Sequence, residues 1–442
     1  MNTRAQHSEL TRRGFLALSA GGAAALLAGC GKGVGAPQGA GVGGYSGHAY
    51  DGPPVTLSYW DGFTGGDGAT MDKIVKAFNA AHKNITVEQN TMEWADFDQK
   101  LPAAAQAGKG PDVGAMHLSS VATYASRGII VPLDDLAKAL GLQESDFVSA
   151  VWKGGIYQGK RYGIPLDVHC LGMYWNKEHF KKAGITKPPT DAASLDEACR
   201  KLQDAGFSQP FWRPNQWPAQ LTFMSLLYQN GGQVIAADGS KALFDSSAGV
   251  KGISWMLEAI KKGYSPKNVD LDAQYLAFKN GKNSITFDGI WQINDLKSAG
   301  VPFGLQPLPT IGSNPAVWAD SHEFFMTKQA AQDKNRANAV KTFIGWMSKQ
   351  SGPWSGAGMI PARNSARQDP AFTNSTQSVF ADYLDNLHFL PPVPGWTFVE
   401  PTTMDTAVSD IILGKASPSS GLTKAAQDAT KMMQENLKKY QG

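Results

Sequence analysis

Cysteine is scarce in this chain: three in 442 residues, at Cys30, Cys170 and Cys199. Three cysteines exclude a disulfide-built scaffold. No zinc-ligand spacing is present, HExxH included, and the histidines and acids show no clustered ligand pattern along the chain. An excess of one charge is also missing, with 41 Lys and Arg against 38 Asp and Glu and a net charge of +3. The first 29 residues carry three arginines and one glutamate, so the remainder stands near +1. That balance gives no support for nucleic-acid binding or for a broad basic membrane-binding face. The glycine-rich "GFTGGDG" lacks the Lys-Ser/Thr end of a P-loop. What the chain does hold in quantity is tryptophan, 12 residues; some belong in a core, and so many in one chain suggest aromatic platforms for a ligand.

The N-terminus reads "TRRGFLALSAGGAAALLAGCGKG". Its apolar run over 15–28 spans 14 residues, short of the about 20 that a membrane-crossing helix requires. Arg12 and Arg13, followed by Gly14, Phe15 and Leu16, resemble a twin-arginine export signal. Leu27, Ala28, Gly29 and Cys30 resemble a bacterial lipobox, in which Cys30 is acylated and becomes the first residue after cleavage. Residues 1–29 are therefore expected to be a signal peptide. Residues 30–54, rich in Gly, Ala and Pro, are expected to be a lipidated cysteine and flexible tether, with a reach on the order of 25–30 Å. The mature protein is expected to be extracytoplasmic and lipid-anchored to the cell membrane. Cys170 and Cys199 could pair there, but a chain that folds in the reducing cytosol before export gains less from a disulfide; two buried thiols are the other reading.

Nearly 390 residues follow the tether, more than one core usually serves, so two lobes are expected. A strand over 55–59, a helix with the apolar stripe Met71, Ile74, Val75 and Phe78, and a strand over 85–88 make a strand–helix–strand unit. The rhythm continues with a helix over 101–107, a strand within "PDVGAMHL" and a helix over 121–127. A short strand over 162–165 is followed by an alternating strand ending near Asn176 and a helix over 178–183. Helices over 194–205, 220–230 and 248–262 and a strand and turn over 286–291 form a second body. This is the pattern of open α/β sheets, in which ligands bind beyond the carboxyl ends of strands. That rule singles out the loops over 60–68 and 116–120.

The ordered landmarks "YWDGFTGGDG", "AGKGPDVGAMHL", "RGIIVPLDDL", "YQGKRYGIPLDVHCLGMYWNKEHFKKAGI", "FKNGKNSITFDGIWQI", "SHEFFMTK" and "WSGAGMIPARNSA" resemble those of family 1 extracellular solute-binding proteins of ABC importers, the maltose-binding-protein-like group. The resemblance covers most of the chain from Val55 onward. It implies an α/β, two-lobe periplasmic-binding-protein-like fold (type II) that closes around a sugar or oligosaccharide. It implies a monomer that presents its ligand to ABC permease membrane subunits, needs no cofactor and does no catalysis. It also implies several crossings between lobes, expected over 165–167, 317–320 and 359–363. Lobe one is then 55–165 plus 319–360, and lobe two 166–318 plus 361–442.

A sugar presents C–H-rich faces that pack on aromatic rings and a rim of hydroxyls that both donate and accept, so its site needs rings beside carboxylates, amides or guanidinium. In lobe one the candidates are Trp60, Asp61, Phe63 and Asp67 after the first strand and His117 after the third, with Gly65, Gly66 and Gly68 allowing close backbone approach. Asp167 and His169 stand near the first crossing, where the resemblance implies a polar ligand contact. Lobe two contributes Trp212, Trp217, Asp288 and Trp291, the last two in "FDGIW", a turn like one of the family's. Trp318, Asp320 and His322 come from the second crossing, Trp354 and Arg363 from the third. Trp318 and Trp354 also fit hinge packing, and His117 and His322 also fit structural histidines. Trp94, Trp152 and Trp255 read as packing. Two rival functions remain: a glycoside hydrolase, which needs two carboxylates at a set spacing, and a binder of glycerol phosphate esters or another polar solute, against which the loops hold few Lys or Arg.

Overall fold

The computed structural model describes residues 50–440. The expected signal peptide, Cys30 and all but the end of the tether lie outside the described residues. No described helix is long and apolar enough to cross a membrane.

The strands in chain order are β1 (Val55–Asp61), β2 (Ile85–Thr91), β3 (Val113–His117), the hairpin β4 (Ile156–Tyr157) and β5 (Lys160–Arg161), β6 (Ile164–Pro165), β7 (Asp167–Asn176), β8 (Ile285–Gly289), β9 (Phe303–Gln306), β10 (Val317–Asp320), β11 (His322–Met326), β12 (Ile360–Pro361) and β13 (Leu387–His388). In β1 the residues Leu57, Tyr59 and Asp61 point inward and alternate with more exposed neighbours, the period-two signature of a strand with one buried face. The crossover helix Gly68–Ala81 buries Met71, Ile74, Val75 and Phe78, the stripe that its spacing predicts. It returns the chain to β2, parallel to β1. The first sheet has the order β2-β1-β3-β11-β6, with β11 antiparallel to both its neighbours. Helix Lys334–Ser348 covers it, setting Phe343 at 5.3 Å from Tyr59 and 4.9 Å from Phe78.

The second sheet is built on β7, flanked by β12 and β10 at its start and by β8 and β9 further along. Alternation was the expectation for β7, yet every residue but Trp175 is buried. Both edges are paired and both faces covered, so no face is left for polar side chains. Cys170 on β7 and Cys199 on helix Ala192–Asp204 are both buried and free, which decides between the two cysteine readings.

The chain passes from the first sheet to the second between β6 and β7, with Leu166 between them, and returns between β10 and β11, with Ser321 between them. A third passage precedes β12, after the helix that covers the first sheet. Helix Ala219–Gln229, buried along its whole length, holds the approach to β10. Gln229 donates to the carbonyls of Pro309 (3.0 Å) and Ala316 (3.1 Å) and accepts from the amides of Ile311 (2.6 Å) and Gly312 (3.1 Å). Ser225 Oγ accepts from the Trp318 amide at 2.9 Å.

Candidate ligand-binding cleft

Sheet register brings together residues that the sequence holds far apart. In the β3–β11 pair His117 stands opposite His322, and in the β7–β10 pair His169 stands opposite Asp320. The two passages through Leu166 and Ser321 then set these pairs side by side. The His169 and His322 rings stack at 4.3 Å with a 30° interplanar angle, and His117 lies 5.2 Å from His322 and 5.6 Å from His169.

Asp167, wholly buried at the start of β7, ties this floor together. Its Oδ1 accepts from the His322 amide at 3.0 Å and lies 3.3 Å from His169 Nδ1. Its Oδ2 lies 2.8 Å from His322 Nδ1 and accepts from Trp354 Nε1 at 2.6 Å. Burial alone would raise its proton affinity, but the facing His322 and the hydrogen bonds from His169 and His322 hold the carboxyl well below the usual carboxylate range. Burial, with the neighbouring His322 and His169, holds His117 well below the usual imidazole range; burial and His322 lower His169 also.

Rings surround the histidines on both sides. Phe63 meets His322 edge-on at 4.7 Å and Trp354 at 4.9 Å. Trp291 meets His169 edge-on at 5.9 Å, stacks on the exposed Trp217 at 6.0 Å, and meets Trp318 edge-on at 6.5 Å. Trp94, read from the sequence as packing, lies 4.2 Å from His117 and parallel to His322 at 5.4 Å. It begins helix Trp94–Gln106, which starts earlier than expected. Its nearness to Gly62 explains that glycine: a Cβ there would sit 2.1 Å from the indole.

The carboxylates singled out from the sequence are all buried. Asp320 accepts from Ser119 Oγ at 2.7 Å and from the Ser321 amide at 2.8 Å. Asp61 accepts from Gln89 at 2.8 Å, and burial pushes its carboxyl up to about 6. Burial raises Asp67 to about 7, and its Oδ1 has no hydrogen-bond partner. Asp288, fully buried in β8, accepts from the Gly289 amide at 2.8 Å and from Gln274 at 3.2 Å, and burial raises it to about 7.

Of the residues singled out from the sequence, the fold gathers Phe63, His117, Asp167, His169, Trp217, Trp291, Trp318, Asp320, His322 and Trp354. Trp354 is fully buried and its indole nitrogen donates to Asp167, so its ring packs beneath the histidines. Trp60 and Trp212 make no ring contact with this group among the described residues. Arg363 pairs with Asp146 at 3.6 Å and donates to Ser348 at 3.1 Å, away from the histidines. Gly66, expected to let backbone approach a ligand, instead lets it approach the opposite lobe: a Cβ would sit 3.0 Å from the Trp291 carbonyl and the Asp295 amide. Asn294 spans the same junction, donating to the Gly356 carbonyl at 2.7 Å and to that of Gly66 at 3.4 Å.

A family model described as bacterial extracellular solute-binding protein matches residues 63–352. The chain is 24% identical over 393 residues to the diacetylchitobiose binding protein DasA of Streptomyces coelicolor, across 83% of this chain and 87% of that one. It superposes on the GacH receptor of Streptomyces glaucescens with a TM-score of 0.75 at 22% identity, over 88% of this chain and 100% of the other. An ABC substrate-binding protein of Listeria monocytogenes, solved in complex with cycloalternan, gives a TM-score of 0.76 at 19% identity, over 86% and 99%. These likenesses show the two-lobe type II fold. With the family match spanning well over half its length, the chain belongs to the bacterial extracellular solute-binding proteins.

Proposed function

We propose that this protein captures a sugar or oligosaccharide between its lobes and delivers it, chemically unaltered, to an ABC import permease. The observation that carries this reading is the run of rings Trp217–Trp291–Trp318–His169–His322–Trp94, with the carboxylate of Asp320 opposite His169. Indole faces suit the C–H faces of a pyranose, and carboxylates suit its hydroxyls. The names of the relatives, binders of diacetylchitobiose and of maltotriose among them, support the same class of ligand. A phosphate ester fits less well, because acids outnumber cations around the wall.

As an extracellular solute-binding protein the chain works outside the cytoplasm. The finer reading is ours: twin-arginine export, a lipid on Cys30, a tether, and a monomer whose lobes are 55–165 with 319–360 and 166–318 with 361–442. Closure should bring lobe-two rings onto a ligand seated on lobe one, so the open and closed forms differ by only a few kcal/mol. Calorimetry against mono-, di- and oligosaccharides tests the reading. Trp291→Ala should weaken the ligand that binds by tenfold or more without lowering the unfolding temperature. Failure of every glycan to bind would end the proposal, and chromatography showing cleaved oligosaccharide would turn it toward hydrolysis.

A further inference from the structure

One ring nitrogen from each of His117, His169 and His322 lies within 4.8 Å of the other two. The histidines are 52 and 153 positions apart along the chain, so no spacing rule marks them. Structural histidines usually spend both nitrogens on hydrogen bonds. Here, among the described residues, the His117 ring makes none, and His169 and His322 each commit only Nδ1, both to the carboxylate of Asp167. A carboxylate on Nδ1 fixes the tautomer that leaves a lone pair on Nε2, the arrangement that orients histidine toward a metal.

We propose that His117, His169 and His322 form a three-nitrogen site for a divalent transition-metal ion of the zinc class, oriented by Asp167, with a further coordination position left to water or to a ligand hydroxyl. Imidazole suits zinc, copper, nickel and cobalt, and three neutral nitrogens with one open position are a known zinc arrangement. Metal–nitrogen bonds of about 2.0–2.1 Å would bring the nitrogens to about 3.4 Å apart. Rings now within 4.8 Å need close by no more than about 1.4 Å. His117, at the end of β3, is the least enclosed of the three.

This inference goes beyond the carbohydrate reading and does not depend on it. The test uses the untagged full chain, stripped with a chelator and dialysed, then titrated with Co²⁺ while its visible d–d absorption is followed, and with Zn²⁺ by calorimetry. One equivalent should bind with a Kd at or below the micromolar range. His117→Ala should weaken it at least tenfold, and Asp167→Asn by about 10–100-fold, as loss of an outer-sphere partner does. Because Asp167 also braces the hinge, His117→Gln serves as a second probe that leaves the hinge untouched, with circular dichroism verifying the fold. Absence of saturable binding, a stoichiometry other than one, or identical titrations for the wild type and both His117 variants would overturn the proposal. Oligosaccharide affinity measured in chelator on the same preparation separates the two readings: sugar binding that persists without metal leaves the carbohydrate reading standing whatever the metal titration gives.

Discussion

Asp288 shows how one residue in this cleft sets a measurable property. Its carboxyl, raised by burial to about 7 and faced by Asp272, holds a proton in the folded state that an unfolded carboxyl releases near 3.9. Between those values the folded chain binds more protons, so this group makes stability fall as pH rises from about 4 to 7. Asp288→Asn should flatten that part of the curve in urea unfolding at a series of pH values, where each tenfold in proton affinity is worth about 1.4 kcal/mol. An unchanged slope would show that the carboxyl is not protonated. Asp167, held below its usual range, acts in the opposite window: its contribution is present above about 4 and fades as pH falls below that. Gly62→Ala should cost roughly 1–3 kcal/mol, read as a lower unfolding temperature, because the added methyl must displace the Trp94 ring. Position after a strand was enough to mark Phe63, His117 and Trp291 from the sequence. Trp94 was not legible, because it opens a helix and owes its place to the close approach of Gly62.

At the scale of elements, sequence periodicity carried far. The buried stripe of helix Gly68–Ala81 is the one its spacing predicts, and the strands at 55 and 85 are found, each running two or three residues further. Two features escaped for physical reasons. The helix expected over 101–107 begins seven residues earlier, at Trp94, with Pro102 inside it. The strand β7 is covered on both faces, so its pattern reflects packing that no single strand can announce. The histidine floor is likewise a product of register between β3 and β11 and between β7 and β10, invisible in linear spacing. Gln229 makes a testable point about how elements are held. Gln229→Ala would leave two carbonyls and two amides of the approach to β10 without their partner, so a loss of about 3 kcal/mol in urea unfolding is expected. A loss below about 1 kcal/mol would mean that water replaces the side chain.

For the whole molecule, the resemblance predicts crossings over 165–167 and 317–320; the first passage lies at Leu166, whereas 317–320 is strand β10 itself and the chain returns one residue later, at Ser321. The contacts of Asn294 with Gly66 and Gly356 have no signal in the sequence, since they depend on how distant elements are set against each other. Asn294 touches Gly66 and Gly356 rather than the ring wall, so it bears on the open–closed balance alone. Asn294→Ala should enlarge the radius of gyration of the ligand-free protein in solution scattering. It should also weaken ligand binding several-fold, since a smaller closed fraction lowers apparent affinity in proportion. Identical scattering and affinity would mean that these bonds do not bias closure. Finally, the carboxylate of Asp167 receives donors from His169, His322 and Trp354, which belong to three separate stretches of chain. Displacing either imidazole therefore pulls on the one carboxylate that ties β7, β11 and Trp354 together, so a shift in one of these stretches cannot stay confined to it.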